Sequence, residues 1–342
     1  MFDLKKIVIA VCAVVLVVTA CVGVSQIGRD RQKKSPIRQT QDATEASRNT
    51  DDTVNVLLLG TDREAGLCDV MMLVNVNFTD GAATVLQIPR DTYASYTDSS
   101  YKKLNGAYSR LGGADKVAEL LEGAMGIEIH HYACIGLDTM ADIVDAVGGV
   151  DVDLPCDMSY RDAAQGLYID LKKGMTHLDG SLAEQFVRFR SGYIQGDLGR
   201  LDAQKLFMAA FIRKIASEFS PTLALKLATA IDGIETDLSV SEIMTLGARA
   251  LNIRKASIAL LTLPGEEVTA RESGASYYVI SRPAAEKITS DCFGRTSEFD
   301  PDKMFLNTRY KDFKTAYERE AEYAPLYAAD VSENGINIQI KG

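Results

Sequence analysis

From Val54 onward, short aliphatic runs alternate with stretches of helical spacing. VNVLLLG (54–60), MMLVNVN (71–77) and AATVLQIP (82–89) are rich in β-branched and aliphatic residues and bounded by Gly, Asp or Pro, which predicts three successive buried strands. Apolar positions then recur every three to four residues over about 114–125 and 138–147, the signature of helices with one buried face. GGVDVDLP alternates apolar and acidic residues as a half-buried strand does, LYIDL repeats that signal, and LDGSLAEQFVR reads as a helix. The segment 200–219 carries the strongest helical periodicity. Helices follow near 221–231, 239–250 and 283–292, with strands in SIALLTLP and YYVIS; residues 295–342 show no readable period. Strands interleaved with helices predict an α/β fold, a central mixed sheet flanked by helices on both faces.

Ahead of this region, residues 7–24 form an uncharged apolar run after Lys5 and Lys6, long enough to cross a bilayer as a helix. Residues 1–27 are read as a membrane anchor, 28–53 as a polar linker too poor in apolar residues to fold alone, 54–294 as the α/β domain and 295–342 as a C-terminal extension. Two other readings of the apolar run stand beside the retained helix. VTAC (18–21) resembles a bacterial lipobox, which would make Cys21 an acylated residue, and the run also suits a cleaved signal peptide. All three place the domain outside the cytoplasm, although Arg29, Arg31, Lys33, Lys34 and Arg38 outnumber Lys5 and Lys6, against the positive-inside rule.

Composition narrows the functional classes. A formal charge of −10 over 342 residues, with no basic block past residue 38, excludes broad electrostatic capture of nucleic acid, so any anion site is local. The absence of any CxxC spacing argues against a zinc centre; Cys68, Cys134, Cys156 and Cys292 either form disulfides, with three pairings possible, or stay as buried unpaired thiols, the commoner outcome without a dense framework.

The local anion site is sought in FVRFRSGYIQGDLGRLDAQ (186–204). Arg188 and Arg190 project to one side if the chain is extended there, while Arg200 and Gln204 share a helix face that continues into Phe207 and Phe211. Guanidinium forks pair bidentately with phosphate oxygens and stay charged at any relevant pH. Asp197 could orient those forks or join a metal shell; a purely structural network with Asp197, Asp202 or Glu184 is the competing reading.

Three further loops hold candidate chemistry. In LLLGTDREAGLCD, Asp62 and Asp69 bracket a loop that leaves a buried strand, with Gly60 permitting the turn; the pair suits a Mg²⁺–phosphate site, or else caps turns. In IPRDTYASY, Arg90 and Asp91 follow the third strand at the same sheet edge as Asp62, as ligand-site residues or as a local ion pair. In YKKLNGAY, Lys103, Asn105 and Tyr108 are polar groups that bind a ligand or cover a turn.

Taken in order, NVLLLGTD, CDVMMLVNVN, VLQIPRDTY, KLNGAY, DAVGGVDVDLP, QGLYIDLKKGMTHLDGSLAEQFVRFR and GDLGRLDAQKLF resemble the LytR-CpsA-Psr (LCP) family over about 54–219, with a weaker match to 293. The resemblance implies a membrane-anchored, extracytoplasmic phosphotransferase. Such an enzyme moves a glycopolymer from an undecaprenyl-pyrophosphate carrier to the carbon-6 hydroxyl of muramic acid in peptidoglycan, with Mg²⁺ (alternatively Mn²⁺) at the diphosphate and the lipid in an apolar tunnel. By position it implies Asp62 and Asp69 as metal carboxylates and Arg90 as the essential arginine. Arg188, Arg190, Arg200 and Gln204 match the pyrophosphate set, and Asp197 the acidic residue of that loop. Arg63, Lys103 and Asn105 are added as phosphate contacts, and Asp91 as a candidate base. The phenylalanine face and LEGAMGIEI (121–129) are candidate tunnel walls. Two departures stand out: Leu67-Cys68 replaces the family's usual Arg-Ser, and Ala203 a frequent Arg. A hydrolase of the same lipid diphosphate and a non-catalytic polyprenyl-phosphate or wall-polymer binder are the rival functions.

Overall fold

Side chains alternate strictly along the second strand: Met72, Val74 and Val76 enter one core while Met71 and Leu73 enter another, so this strand has packed layers on both faces. The computed structural model describes residues 52–62, 66–96, 102–163, 166–218, 220–230, 234–239, 242, 245–246, 249, 257–300, 307 and 309–341. The apolar run 7–24, nearly all of the polar linker, Arg63, and most of the expected 239–250 helix lie outside these residues, as does the side chain of Asp62. Among the described residues no helix is long and apolar enough to cross a membrane.

The strands are β1 (Thr53–Asp62), β2 (Leu67–Asn77), β3 (Ala82–Gln87), β4 (His131–Gly136), β5 (Val150–Leu154), β6 (Met158–Asp162), β7 (Leu167–Leu171), β8 (Gly174–Leu178), β9 (Glu235–Thr236), β10 (Ile258–Thr262), β11 (Gly265–Thr269), β12 (Ser276–Ile280) and β13 (Leu326–Tyr327). The helices are α1 (Ala107–Leu111), α2 (Ala114–Met125), α3 (Leu137–Ala146), α4 (Gly180–Arg188), α5 (Asp197–Glu218), α6 (Pro221–Ala230), α7 (Arg282–Cys292), α8 (Lys311–Glu318) and α9 (Ala328–Asn334).

Seven strands form the central sheet in the order β13-β10-β3-β2-β1-β4-β9. β1 is antiparallel to β2 and parallel to β4, while β3 is antiparallel to β2 and parallel to β10. β1, β3, β4 and β10 therefore finish at one edge, where β2 begins, and that edge gathers the loops after β1 and β3. Helices α3, α4, α5, α6 and α9 cover one face; α2, α7, α8 and the β11–β12 hairpin cover the other. This is the mixed α/β architecture that the alternation predicts.

Two details differ from the sequence reading. LEGAMGIEI packs Leu121, Ala124, Met125, Ile127 and Ile129 into the second core, on the far face of the sheet from the site described below, because the apolar stripe of α2 faces α7 and β4. Gly60 does not make a turn. It remains paired with Val70 beside a bulge, and a Cβ there would lie 2.8 Å from that of Val70, so close strand approach is what demands glycine.

Candidate active site

The site grows from two sequence signals on the face covered by α3, α4 and α5. Helix α4 starts because Asp179 caps it, its side chain accepting from the Leu182 N–H at 2.9 Å. It ends at Phe189, which is extended at φ −66°, ψ 136°. Arg188 therefore sits on the last helical turn and Arg190 just past it, and both reach one cavity wall. The chain then turns through residues 191–196 into α5. Tyr193 is fully buried beneath this loop, and Gly199 makes room for it: a Cβ at 199 would lie 2.5 Å from that of Tyr193. In α5 the stripe Arg200, Gln204, Phe207, Phe211 is buried and faces the same cavity.

That cavity, about 300 Å³, lies between the sheet and helices α3 and α5. Its inner part is apolar, lined by Met72, Val74 and Val85 of the sheet, Ile143 and Val144 of α3, and Phe211. Asp69, Arg90, Arg188, Arg190, Arg200 and Gln204 supply its polar part. One body of space thus joins an apolar interior to a cationic end.

Asp197 is the hinge of the charge cluster. Its Oδ1 lies 3.0 Å from Arg200 Nη2 and 3.3 Å from Arg90 Nε, and Arg90 Nη1 donates to Asp69 Oδ1 at 2.6 Å. Arg200 Nη2 also donates to the Asp69 carbonyl at 3.3 Å. These contacts leave gaps: Arg90 Nε, Arg200 Nε and Asp197 Oδ1 are buried without a well-aligned hydrogen bond. Burial disfavours charge on Arg90, yet Asp197 and Asp69 together outweigh it and raise its pKa. For Arg200 burial dominates, and repulsion from Arg90 and Arg190 works against the help from Asp197 and Asp69, so its pKa is lowered. Arg200 is a guanidinium with less negative charge around it than it needs. Elsewhere, Arg188 Nη1 donates to Glu184 at 2.7 Å, one helical turn back.

The structure thus brings together Asp69, Arg90, Asp197, Arg188, Arg190, Arg200 and Gln204, from β2, the loop after β3, α4 and α5. It does not bring Asp91, Lys103 and Asn105 to the cavity wall. Asp91 pairs with Lys103 at 3.0 Å behind Arg90, and the Asn105 N–H donates to the Arg90 carbonyl at 3.0 Å, so these residues brace the arginine's backbone. Tyr108 donates to Glu235 at 2.9 Å and is likewise not part of the cavity wall. Sequence reasoning missed Gln87, whose side chain bridges Thr262 at 3.2 Å and Gln204 at 3.5 Å under the polar end. A lone amide in an otherwise apolar buried strand was its signal. Glu184 appeared only as a structural alternative, and Ser191 and Tyr160 of the wall carry no sequence signature.

The LytR_cpsA_psr family model matches residues 18–293, most of the chain and every element of this site. The chain belongs to the LytR_cpsA_psr family. Among its relatives, a polyisoprenyl-teichoic acid–peptidoglycan teichoic acid transferase TagU of Oceanobacillus iheyensis is 30% identical over 256 residues, covering 72% of this chain and 77% of the relative. The TagV transferase of Bacillus subtilis is 30% identical over 233 residues, 67% of this chain and 59% of the relative. The crystal structure of B. subtilis TagV superposes with a TM-score of 0.58 at 27% identity, covering 70% of this chain and 95% of that one. Cys68, one of the two departures from the resemblance, turns inward: its thiol is buried, burial pushing its pKa up to about 12 with added repulsion from Cys134 and Asp69. It offers nothing to the cavity. Cys68, Cys134, Cys156 and Cys292 form no disulfide among the described residues.

Proposed function

We propose that the protein is a transferase that moves a glycopolymer, as its phosphate, from a polyprenyl-diphosphate carrier to peptidoglycan. The observation that carries this reading is the cavity: an apolar interior suited to an isoprenoid chain, continuous with four arginines suited to a diphosphate. The names of its relatives agree with it.

Each residue then has a part. Arg90 and Arg200, held at a common angle by Asp197, and Arg188 and Arg190 from the end of α4 grip the phosphate oxygens. Gln204, its amide donating to the Val187 carbonyl at 3.2 Å, marks the border where the lipid begins. The acceptor hydroxyl attacks the sugar-bearing phosphorus and polyprenyl phosphate leaves. Phosphoryl transfer draws mainly on positioning and on fixed positive charge around the phosphoryl oxygens, which this cluster supplies in a partly dry site. Asp91, Lys103 and Asn105 keep Arg90 in place; this reading assigns them no contact with the reacting atoms.

The donor chemistry near the diphosphate suits a hard cation. Asp69 places a carboxylate on the cavity wall, and hard cations take one or two carboxylates together with phosphate oxygens. Among the described residues no group of three or more potential metal ligands forms. Asp69 with Asp62 would hold Mg²⁺. When bound, it would offset negative charge on the leaving phosphate. The run 7–24 would keep the domain beside the carrier lipid, outside the cytoplasm, as a helix or through an acyl group on Cys21.

The test is product formation from a lipid-linked glycopolymer, with and without peptidoglycan and Mg²⁺. Transfer predicts polymer joined to peptidoglycan and a rate that depends on acceptor; an undiminished rate without acceptor would instead identify a hydrolase.

A further inference from the structure

The chain beyond residue 293 lies outside the family match, yet its last described residues end at the loop that carries Arg190. After α8, β13 adds a strand to the free edge of β10, and α9 lies along α5, burying Ala328 and Val331 in the core that contains the cavity. Ile336, Ile338 and Ile340 continue along that core. The chain then pairs antiparallel with the loop between α4 and α5, Ile340 opposite Tyr193. The Ile194 N–H donates to the Gln339 carbonyl and the Lys341 N–H to the Gly192 carbonyl, each at 2.9 Å; Lys341 Nζ donates to the Ser191 carbonyl at 2.9 Å.

This loop has a particular need of outside support. Its own backbone bonds are turn-like, Tyr193 N–H to Arg190 O and Gly196 N–H to Tyr193 O, both at 3.2 Å. Arg190 is exposed, whereas Arg90, Arg188 and Arg200 are each set by a carboxylate. Where Arg190 points is therefore decided mainly by the backbone beneath it. Ser191 shares the cavity wall, and the same loop delivers Asp197 to the start of α5. The buried Tyr193 ring anchors the loop from inside, packed edge-on against Phe189 with centroids 5.4 Å apart. The outer backbone is held by residues 339–341.

We propose that residues 336–341 are a positioning strap, which holds the 190–196 loop in the shape that presents Arg190 and Ser191 to the ligand. The strap acts through the loop and touches no reacting atom. The proposal rests on the diphosphate reading above. Without the strap the loop samples other shapes, and apparent affinity falls by the fraction of time the competent shape is lost.

The test compares the full chain with a chain ending at residue 335 and with Lys341→Pro and Lys341→Ala. Lys341→Pro removes the backbone donor but tolerates the extended conformation required at Ile340, so it spares the buried Ile338 that the truncation deletes. Lys341→Ala keeps both backbone bonds. Readouts are hydrogen exchange at the Ile194 amide, thermal unfolding, and the Kd for geranylgeranyl diphosphate. With Lys341→Pro, exchange at Ile194 is expected to accelerate and Kd to weaken, each by about fivefold, the factor equivalent to a net bond strength near 1 kcal/mol. Lys341→Ala should stay within about threefold of the parent, and core amides should be unchanged in both. Unchanged exchange at Ile194 in Lys341→Pro, or faster exchange with unchanged Kd, overturns the strap. Arg90→Ala in the same series separates the two ideas: if it too binds geranylgeranyl diphosphate normally, the diphosphate reading fails, and exchange alone judges the strap.

Discussion

Replacing Asp197 with asparagine removes the anion shared by two arginines while preserving shape. In the parent, Asp197 Oδ1 lies 3.0 Å from Arg200 and 3.3 Å from Arg90, and the Arg200 side chain is only 5% exposed. Deleting one partner of a buried pair costs about 3–5 kcal/mol when the other charge is left alone. Here Asp69 still holds Arg90 at 2.6 Å, which favours the lower part of that range, about 3–4 kcal/mol. At roughly 2–4 °C per kcal/mol for a domain of this size, melting should fall by about 6–16 °C. The same change makes the cavity more positive. Inorganic pyrophosphate should therefore stabilise Asp197→Asn more than the parent and recover most of the loss, since ligand near 100 times Kd contributes about 2.7 kcal/mol. Turnover should nevertheless fall, because the two forks lose their common orientation. Differential scanning calorimetry with and without pyrophosphate, beside a transfer assay, reads all three effects. An unchanged melting temperature, or equal stabilisation of both proteins by pyrophosphate, would refute the view that Asp197 balances a phosphate-binding pair.

Other consequences follow from the same geometry. Arg90→Ala should lower transfer by a factor of about 10² or more, as for other removed electrostatic stabilisers, in the peptidoglycan transfer assay. Val144→Phe adds bulk to the apolar interior, so calorimetric titration should show weakened geranylgeranyl diphosphate binding with inorganic pyrophosphate binding retained. With its pKa raised to about 12, Cys68 should present about one thiolate in 10⁴ at pH 8 and resist iodoacetamide in the folded state, whereas the half-buried Cys292 reacts first in a peptide-mapping time course. Titrating Mg²⁺ into the transfer assay should raise turnover in the parent and much less in Asp69→Asn.

Much of the fold could be read from residue spacing, because β1, β2, β3, α2 and α5 carry long, clean periods bounded by Gly, Asp or Pro. β4 could not: HYACIG begins on the second of two adjacent histidines and mixes small residues with one aromatic, so no period of two emerges, and its place beside β1 comes from tertiary pairing. The last fifty residues were unreadable for a related reason. β13 is two residues long and α9 is short, and both exist because β10 and α5 offer edges for them to cover. In the site, Arg188 with Arg190 and Arg200 with Gln204 were visible as local spacings. Their meeting with Arg90 and Asp69 was suggested only by resemblance, since nothing local reports that the ends of α4 and α5 reach the edge where β1 and β3 finish. The apolar interior was least legible of all: its walls come from the sheet, α3, α5 and the β6–β7 hairpin, and each wall residue looks like ordinary core.

A crystal structure with geranylgeranyl diphosphate tests the central arrangement most directly. It should place both phosphates within hydrogen-bonding distance of Arg90 and Arg200, with Arg188 and Arg190 alongside and the isoprenoid among Met72, Val144 and Phe211. A diphosphate bound away from Arg90 and Arg200, or an isoprenoid left in solvent with the cavity unfilled, would contradict it.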